Sequence, residues 1–161
     1  MKNRKSFIIG LKSTSLELNE IRFLKKYKPW GIILFKRNIK SIKQSKILTD
    51  NIKKIFNDYK YPILIDQEGG KVNRLSNIID VSFFTSEFFG KLYKKNTSKF
   101  EAYYKIFIKQ TSYLLKSIGA NINTVPVLDL RYKKKHKIIG NRSFGSNPKT
   151  VSKIGDFCIK E

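Results

Sequence analysis

Four short apolar runs bounded by turn residues punctuate the chain: SFIIGL (Ser6–Leu11), GIILF (Gly31–Phe35), YPILI (Tyr61–Ile65) and TVPVLDL (Thr124–Leu130). Runs this short, apolar at successive rather than alternate positions, predict strands covered on both faces, as in a parallel sheet. Between them the period becomes helical. Ser15–Tyr27 opens on a capping Ser and places Leu18, Ile21 and Leu24 on one face. Ser41–Phe56 repeats the device, with Leu48, Ile52 and Ile55 inward, and a shorter helix is expected near Ser86–Lys94. In the longest helix, Phe100, Tyr103, Tyr104, Phe107, Thr111, Leu114, Leu115 and Ile118 recur at three- and four-residue steps, and Gly119 stands where a helix-ending glycine belongs. The last begins at Asn147-Pro148, a cap followed by a first-turn proline, and runs toward Glu161.

This alternation predicts an α/β protein with a parallel sheet and right-handed crossovers. A doubly wound nucleotide fold is one possibility, although the first strand leads into LKSTSLE with no glycine-rich phosphate turn. The other is a (β/α)8 barrel, whose functional residues sit at the C-terminal ends of its strands. Asp66, Gly69, Gly70 and Asp129 are expected at such ends. A barrel takes about 250 residues and eight units. On the barrel reading, 161 residues make half of a TIM-type barrel, about four βα units. On this reading residues 1–161 form one domain truncated at its C-terminus.

Composition narrows the function. Hydrophobic residues make up 40% and aromatics 13%, which predicts a globular chain rather than a disordered one. The net charge of +22 raises the question of a polyanion partner. Yet 28 of the 34 basic residues are lysines and they are scattered over every segment. Abundant Ile, Asn and Phe with only two alanines point to an AT-rich coding sequence, in which a solvated lysine surface carries no message. No specific nucleic-acid partner is expected; a polyanion site remains the alternative. The single cysteine, Cys158, excludes an internal disulfide and a cysteine-based zinc site, and no metal or cofactor is implied. The amino terminus, MKNRKSFIIGLKSTS, has five apolar residues in a row, against about 7–15 for a secretory signal and about 20 for a membrane span. A cytoplasmic protein without membrane association is expected.

The candidate chemistry lies in YPILIDQEGGKVNRL. An acid just past a buried strand is held by the sheet, and paired glycines allow a turn or close approach that side chains would block. Asp66 can accept charge-assisted hydrogen bonds from hydroxyls, as a sugar would offer. It can equally cap the following turn or pair with Arg74.

Four motifs follow in order: GIILFKRNI (Gly31–Ile39), PILIDQEGGKVNRL (Pro62–Leu75), NTVPVLDL (Asn123–Leu130) and IIGNRSFGSNPKTVSKIG (Ile138–Gly155). Together they closely resemble the amino-terminal barrel domain of family 3 glycoside hydrolases, in particular the bacterial cytoplasmic β-N-acetylhexosaminidases that recycle cell-wall muropeptides. The resemblance implies that Asp66 holds hydroxyls of the terminal sugar and that Arg74 and Arg142 are sugar contacts, with Glu68, Gly69, Gly70 and Asp129 in support. Lys71 stands where arginine is common in the family, and Asn73 where glutamine is common. The implied activity is removal of terminal β-linked N-acetylglucosamine from a muropeptide-like substrate, by a retaining mechanism with a covalent glycosyl–enzyme intermediate.

The resemblance also implies residues that do not match. The family's aspartate nucleophile lies late in the barrel, and this branch uses a loop histidine as acid/base; both are expected beyond Glu161. His136, the sole histidine, precedes the RSF motif and is expected on a solvent-exposed loop, and Asp156 falls in the last helix. No catalytic residue is therefore assigned within the chain, which alone is expected to be inactive. A gene fragment, a naturally shortened non-catalytic protein and a dimer that completes the barrel are the available explanations. A family 3 β-glucosidase and a non-catalytic basic nucleic-acid-binding protein are the alternative functions.

Overall fold

A computed structural model describes residues 4–132 and 138–161; His136 lies outside the described residues. The chain forms two compact units. The first comprises Met1–Asp66, Arg74–Ile79 and Tyr113–Thr124; the second comprises Gln67–Asn73, Asp80–Ser112 and Val125–Glu161.

The first unit contains a parallel sheet of four strands in sequential order: β1 (Lys5–Gly10), β2 (Pro29–Leu34), β3 (Ile63–Ile65) and β4 (Ile122–Asn123). Ile9 pairs with Ile32, Ile33 with Leu64, and Ile65 with Asn123. The expected α/β class and parallel sheet are thus present. The fourth strand differs. It lies before Thr124, and Thr124–Leu130 is irregular. Thr124 N–H still donates to the Ile65 carbonyl at 2.9 Å, but Pro126 has no N–H to continue the ladder.

Helix α1 (Leu18–Tyr27) packs against the sheet through Leu24, which is fully buried. Its cap is Glu17 rather than Ser15, with the Glu20 carboxylate accepting from the Glu17 N–H at 2.9 Å. Leu18, expected inward, is 73% exposed because it opens the first turn, ahead of the buried stripe. Helix α2 (Ile42–Ile55) matches expectation, with Ser41 accepting from the Gln44 N–H and Leu48 and Ile52 buried. The first core joins Leu24, Ile32, Leu34, Leu48, Ile52, Ile63 and Ile65 to Leu115, Ile118 and Ala120. Tyr61 is buried beneath them, and its hydroxyl donates to the Pro29 carbonyl at 2.7 Å.

In the second unit, α3 (Ser86–Lys95) is capped by the Thr85 hydroxyl and α5 (Pro148–Lys160) by Asn147, as its Asn-Pro opening predicts. Helix α4 (Thr97–Ser117) starts at Asn96, whose side chain accepts from the Lys99 N–H, and ends before Gly119 at φ 83°. Its Phe100 and Tyr104 enter an aromatic core with Phe89, Phe144, Val151 and Ile154. Tyr103 is 54% exposed, since one residue beside Tyr104 turns about 100° away from the stripe. No helix among the described residues is long and apolar enough to cross a membrane.

Candidate functional site

The site residues in the first unit stand immediately past the strands. All three residues of β3 are buried, so the sheet fixes where Asp66 emerges. One carboxylate oxygen of Asp66 accepts from the hydroxyl of Thr124, the first residue after β4. The other accepts from Arg74 Nη2 at 3.3 Å, with each side chain about a quarter exposed. A tight charge-assisted bond measures about 2.7–2.9 Å. The Arg74 contact is longer than that, and a carboxylate has about four acceptor positions. Pairing with Arg74, one of the two plain roles open to Asp66 in the sequence, is present.

Sequence reasoning missed two neighbours. Phe35, the first residue after β2, lies under the Arg74 guanidinium at 5.4 Å from its ring centroid, and Arg37 lies over the same ring at 4.6 Å. Thr124 was read as the start of a strand. Applying the strand-end rule to every residue type, rather than to acids and glycines, finds Phe35, whereas Thr124 is hidden because the fourth strand ends earlier than its apolar run suggests.

The second unit holds the rest of the DQEGG turn. Glu68 N–H donates to the Val72 carbonyl and Val72 N–H to the Gly69 carbonyl, both at 3.1 Å. Gly69 and Gly70 adopt φ of 90° and 57°. A Cβ on Gly69 would lie 2.3 Å from the Phe84 carbonyl oxygen, so the turn presses directly on backbone. Buried Gln67 donates its amide to the Asn73 side chain at 3.0 Å.

Glu68, expected in support, pairs with Arg142. Its carboxylate, 7% exposed, accepts Arg142 Nε at 2.8 Å and Arg142 Nη2 at 2.7 Å. This two-pronged pair fixes the plane of the Arg142 guanidinium, which is 27% exposed. After Arg142, the buried Ser143 hydroxyl donates to the Asp129 carbonyl at 2.6 Å. Asp129 was expected at a strand end; it lies in irregular chain well past β4, its side chain is exposed, and its backbone makes the contact. The structure thus brings Asp66 together with Arg74 in one unit, and Glu68 with Arg142 in the other. Among the described residues, no cluster of three or more His, Cys, Asp or Glu could hold a metal ion.

Comparison with known proteins bears on these residues. A β-hexosaminidase of Hydrogenovibrio crunogenus is 32% identical over 154 residues, covering 95% of this chain and 42% of that protein. β-Hexosaminidase A of Pseudoalteromonas piscicida is 31% identical over 143 residues, 86% of this chain and 23% of its own length. The structure of NagZ from Neisseria gonorrhoeae in complex with N-trifluoroacetyl-D-glucosamine superposes with a TM-score of 0.85 at 28% identity, over 96% of this chain and 46% of that one. The TIM-type fold class that the family resemblance implies is the one this likeness shows. The chain spans less than half the length of these relatives. The family model for the glycosyl hydrolase family 3 N-terminal domain matches residues 9–161, and the chain belongs to that family, in the company of bacterial β-hexosaminidases.

Proposed function

We propose that this chain is the sugar-binding half of the barrel domain of a β-N-acetylhexosaminidase that removes terminal β-linked N-acetylglucosamine. In this reading Asp66 accepts hydroxyls of the terminal sugar. Arg74 and Arg142 donate to its oxygens, and Glu68 keeps Arg142 in plane. The observation that carries it is the Asp66 carboxylate at the tip of a buried strand, flanked by the Thr124 hydroxyl and by Arg74. The N-trifluoroacetyl-D-glucosamine complex of the Neisseria gonorrhoeae relative supports a ligand of the N-acetylglucosamine class.

The bond-breaking groups belong, on this proposal, to the part of the relatives that the chain does not span. They would act by the retaining scheme, in which a carboxylate nucleophile attacks the anomeric carbon and a second group first protonates the leaving oxygen and then activates water. Resemblance to the cytoplasmic branch supports muropeptide-derived substrates and a role in cell-wall recycling.

The test compares p-nitrophenyl N-acetyl-β-D-glucosaminide with p-nitrophenyl β-D-glucoside, using the product of the gene read through past codon 161. Cleavage of the first substrate, abolished in Asp66→Ala, is the expected result. Cleavage of the glucoside alone would move the protein to another branch of the family.

A further inference from the structure

We propose that Thr124 is a positioning residue whose hydroxyl sets the plane in which the Asp66 carboxylate meets the sugar. The inference rests on the sugar-binding reading of Asp66 and adds a residue to it. Rotation of a carboxylate about its Cβ–Cγ bond is broad and two-fold, so a donor held in a fixed place decides how its oxygens face a ligand. The Thr124 hydroxyl donates to Oδ1 of Asp66, while Arg74 Nη2 donates to Oδ2 at 3.3 Å. A threonine hydroxyl swings about a single stiff side-chain bond, so its place follows directly from the backbone that carries it.

That backbone is tied to the strand that ends in Asp66. Thr124 N–H donates to the carbonyl of Ile65, the residue before Asp66, at 2.9 Å. Continuing the register that pairs Ile65 with Asn123 sets Thr124 directly beside Asp66. Strand β4 has only two residues, and so short a strand carries little pattern to fix its own register. Asn121 supplies the pin. Its backbone N–H donates to the Ile63 carbonyl at 3.0 Å, its Oδ1 accepts from the Ile63 N–H at 2.8 Å, and its Nδ2 donates to the Tyr61 carbonyl at 3.0 Å. A slip of one residue would turn the Thr124 side chain to the opposite face of the sheet. The hydroxyl has one hydrogen, and it also lies 3.3 Å from the Ile65 carbonyl oxygen. The carboxylate is the stronger of the two acceptors, because a charge-assisted bond is about twice as strong as a neutral one. Capping of the Ile65 carbonyl alone would be a purely structural role.

The experiment uses the 161-residue chain and its Thr124→Val and Thr124→Ser variants, each titrated with N-acetylglucosamine. Valine matches threonine in shape and removes the donor; serine keeps the donor. The bond is exposed to competing water, so affinity should fall about five-fold in Thr124→Val and stay near the wild-type value in Thr124→Ser. A ligand-free readout accompanies it. The side-chain carboxyl carbon resonance of Asp66 should move in Thr124→Val and return in Thr124→Ser, with the Ile63 amide resonance unmoved in both. Wild-type affinity in Thr124→Val, an equal fall in Thr124→Ser, or an Asp66 resonance unmoved by Thr124→Val overturns the proposal. A displaced Ile63 amide in Thr124→Val also overturns it, by making Thr124 a strand-register residue. If the wild-type chain binds no N-acetylglucosamine while the Asp66 resonance still follows residue 124, the sugar-binding reading falls and the positioning contact stands.

Discussion

Replacing Glu68 by Gln tests how the second unit holds its arginine. The wild-type pair consists of two charge-assisted bonds, at 2.8 and 2.7 Å, between a carboxylate 7% exposed and a guanidinium 27% exposed. Glutamine keeps one acceptor and turns an amide N–H₂ toward a guanidinium N–H, so one bond is lost and the other loses its charge. A hydrogen bond to a charged group contributes about 1.5–3 kcal/mol net, and breaking a buried ion pair costs about 3–5 kcal/mol. Because Arg142 is partly exposed, water can take the vacated prong, which lowers the expectation to about 2 kcal/mol. For a chain of this size that corresponds to a fall of about 4–8 °C in melting temperature. Thermal and urea unfolding of Glu68→Gln, Arg142→Gln and the double variant measure both the loss and the coupling between the residues. A Glu68→Gln melting temperature within 1 °C of wild type, with no coupling in the cycle, would refute the argument that this pair holds Arg142 in place.

Further expectations concern the turn, the surface and the last helix. Gly69→Ala should destabilise the chain by about 2–3 kcal/mol, since it combines a positive φ with a Cβ pressed on a carbonyl oxygen. Gly70→Ala should cost about 1 kcal/mol, because its φ of 57° is ordinary left-handed backbone and its new Cβ meets the Thr85 methyl; urea denaturation gives the order. Glu87 is held below the usual carboxylate range first by its hydrogen bond from Arg131 and then by that from Lys91. A depressed carboxylate contributes stability above its unfolded value that is lost as pH falls through the folded one, so Glu87→Gln should cost about 0.5–1 kcal/mol at pH 7 and flatten the acid limb of a stability–pH curve. Burial raises the Cys158 thiol, so its alkylation at neutral pH should be slower in the folded chain than in denaturant.

What could be read from the sequence was whatever depends on neighbours along the chain. Ser41, Asn147 and Gly119 announced helix ends because capping is local, and β1, β2 and β3 were visible as unbroken apolar runs. β4 was misplaced because the pairing falls on Ile122–Asn123, a short half-buried pair set beside Leu64 and Ile65, while the apolar run that follows carries Pro126. Tyr103 shows that an apolar residue one step off the stripe remains in solvent, and Leu18 that one ahead of the stripe does too. In the site, Asp66 and Arg74 could be paired from one motif, eight residues apart. The Glu68–Arg142 pair spans 74 residues, and the stacking of Arg74 on Phe35 depends on the register of β2 beside β3; neither separation leaves a periodic trace.

The measurement that addresses the central claim most directly is a crystal structure of the chain soaked with N-acetylglucosamine, with Asp66→Ala as the control. The account predicts sugar hydroxyls within hydrogen-bonding distance of the Asp66 carboxylate, with Arg74 donating to a sugar oxygen, and no bound sugar in the variant. A sugar bound away from Asp66, or bound unchanged in Asp66→Ala, would contradict it.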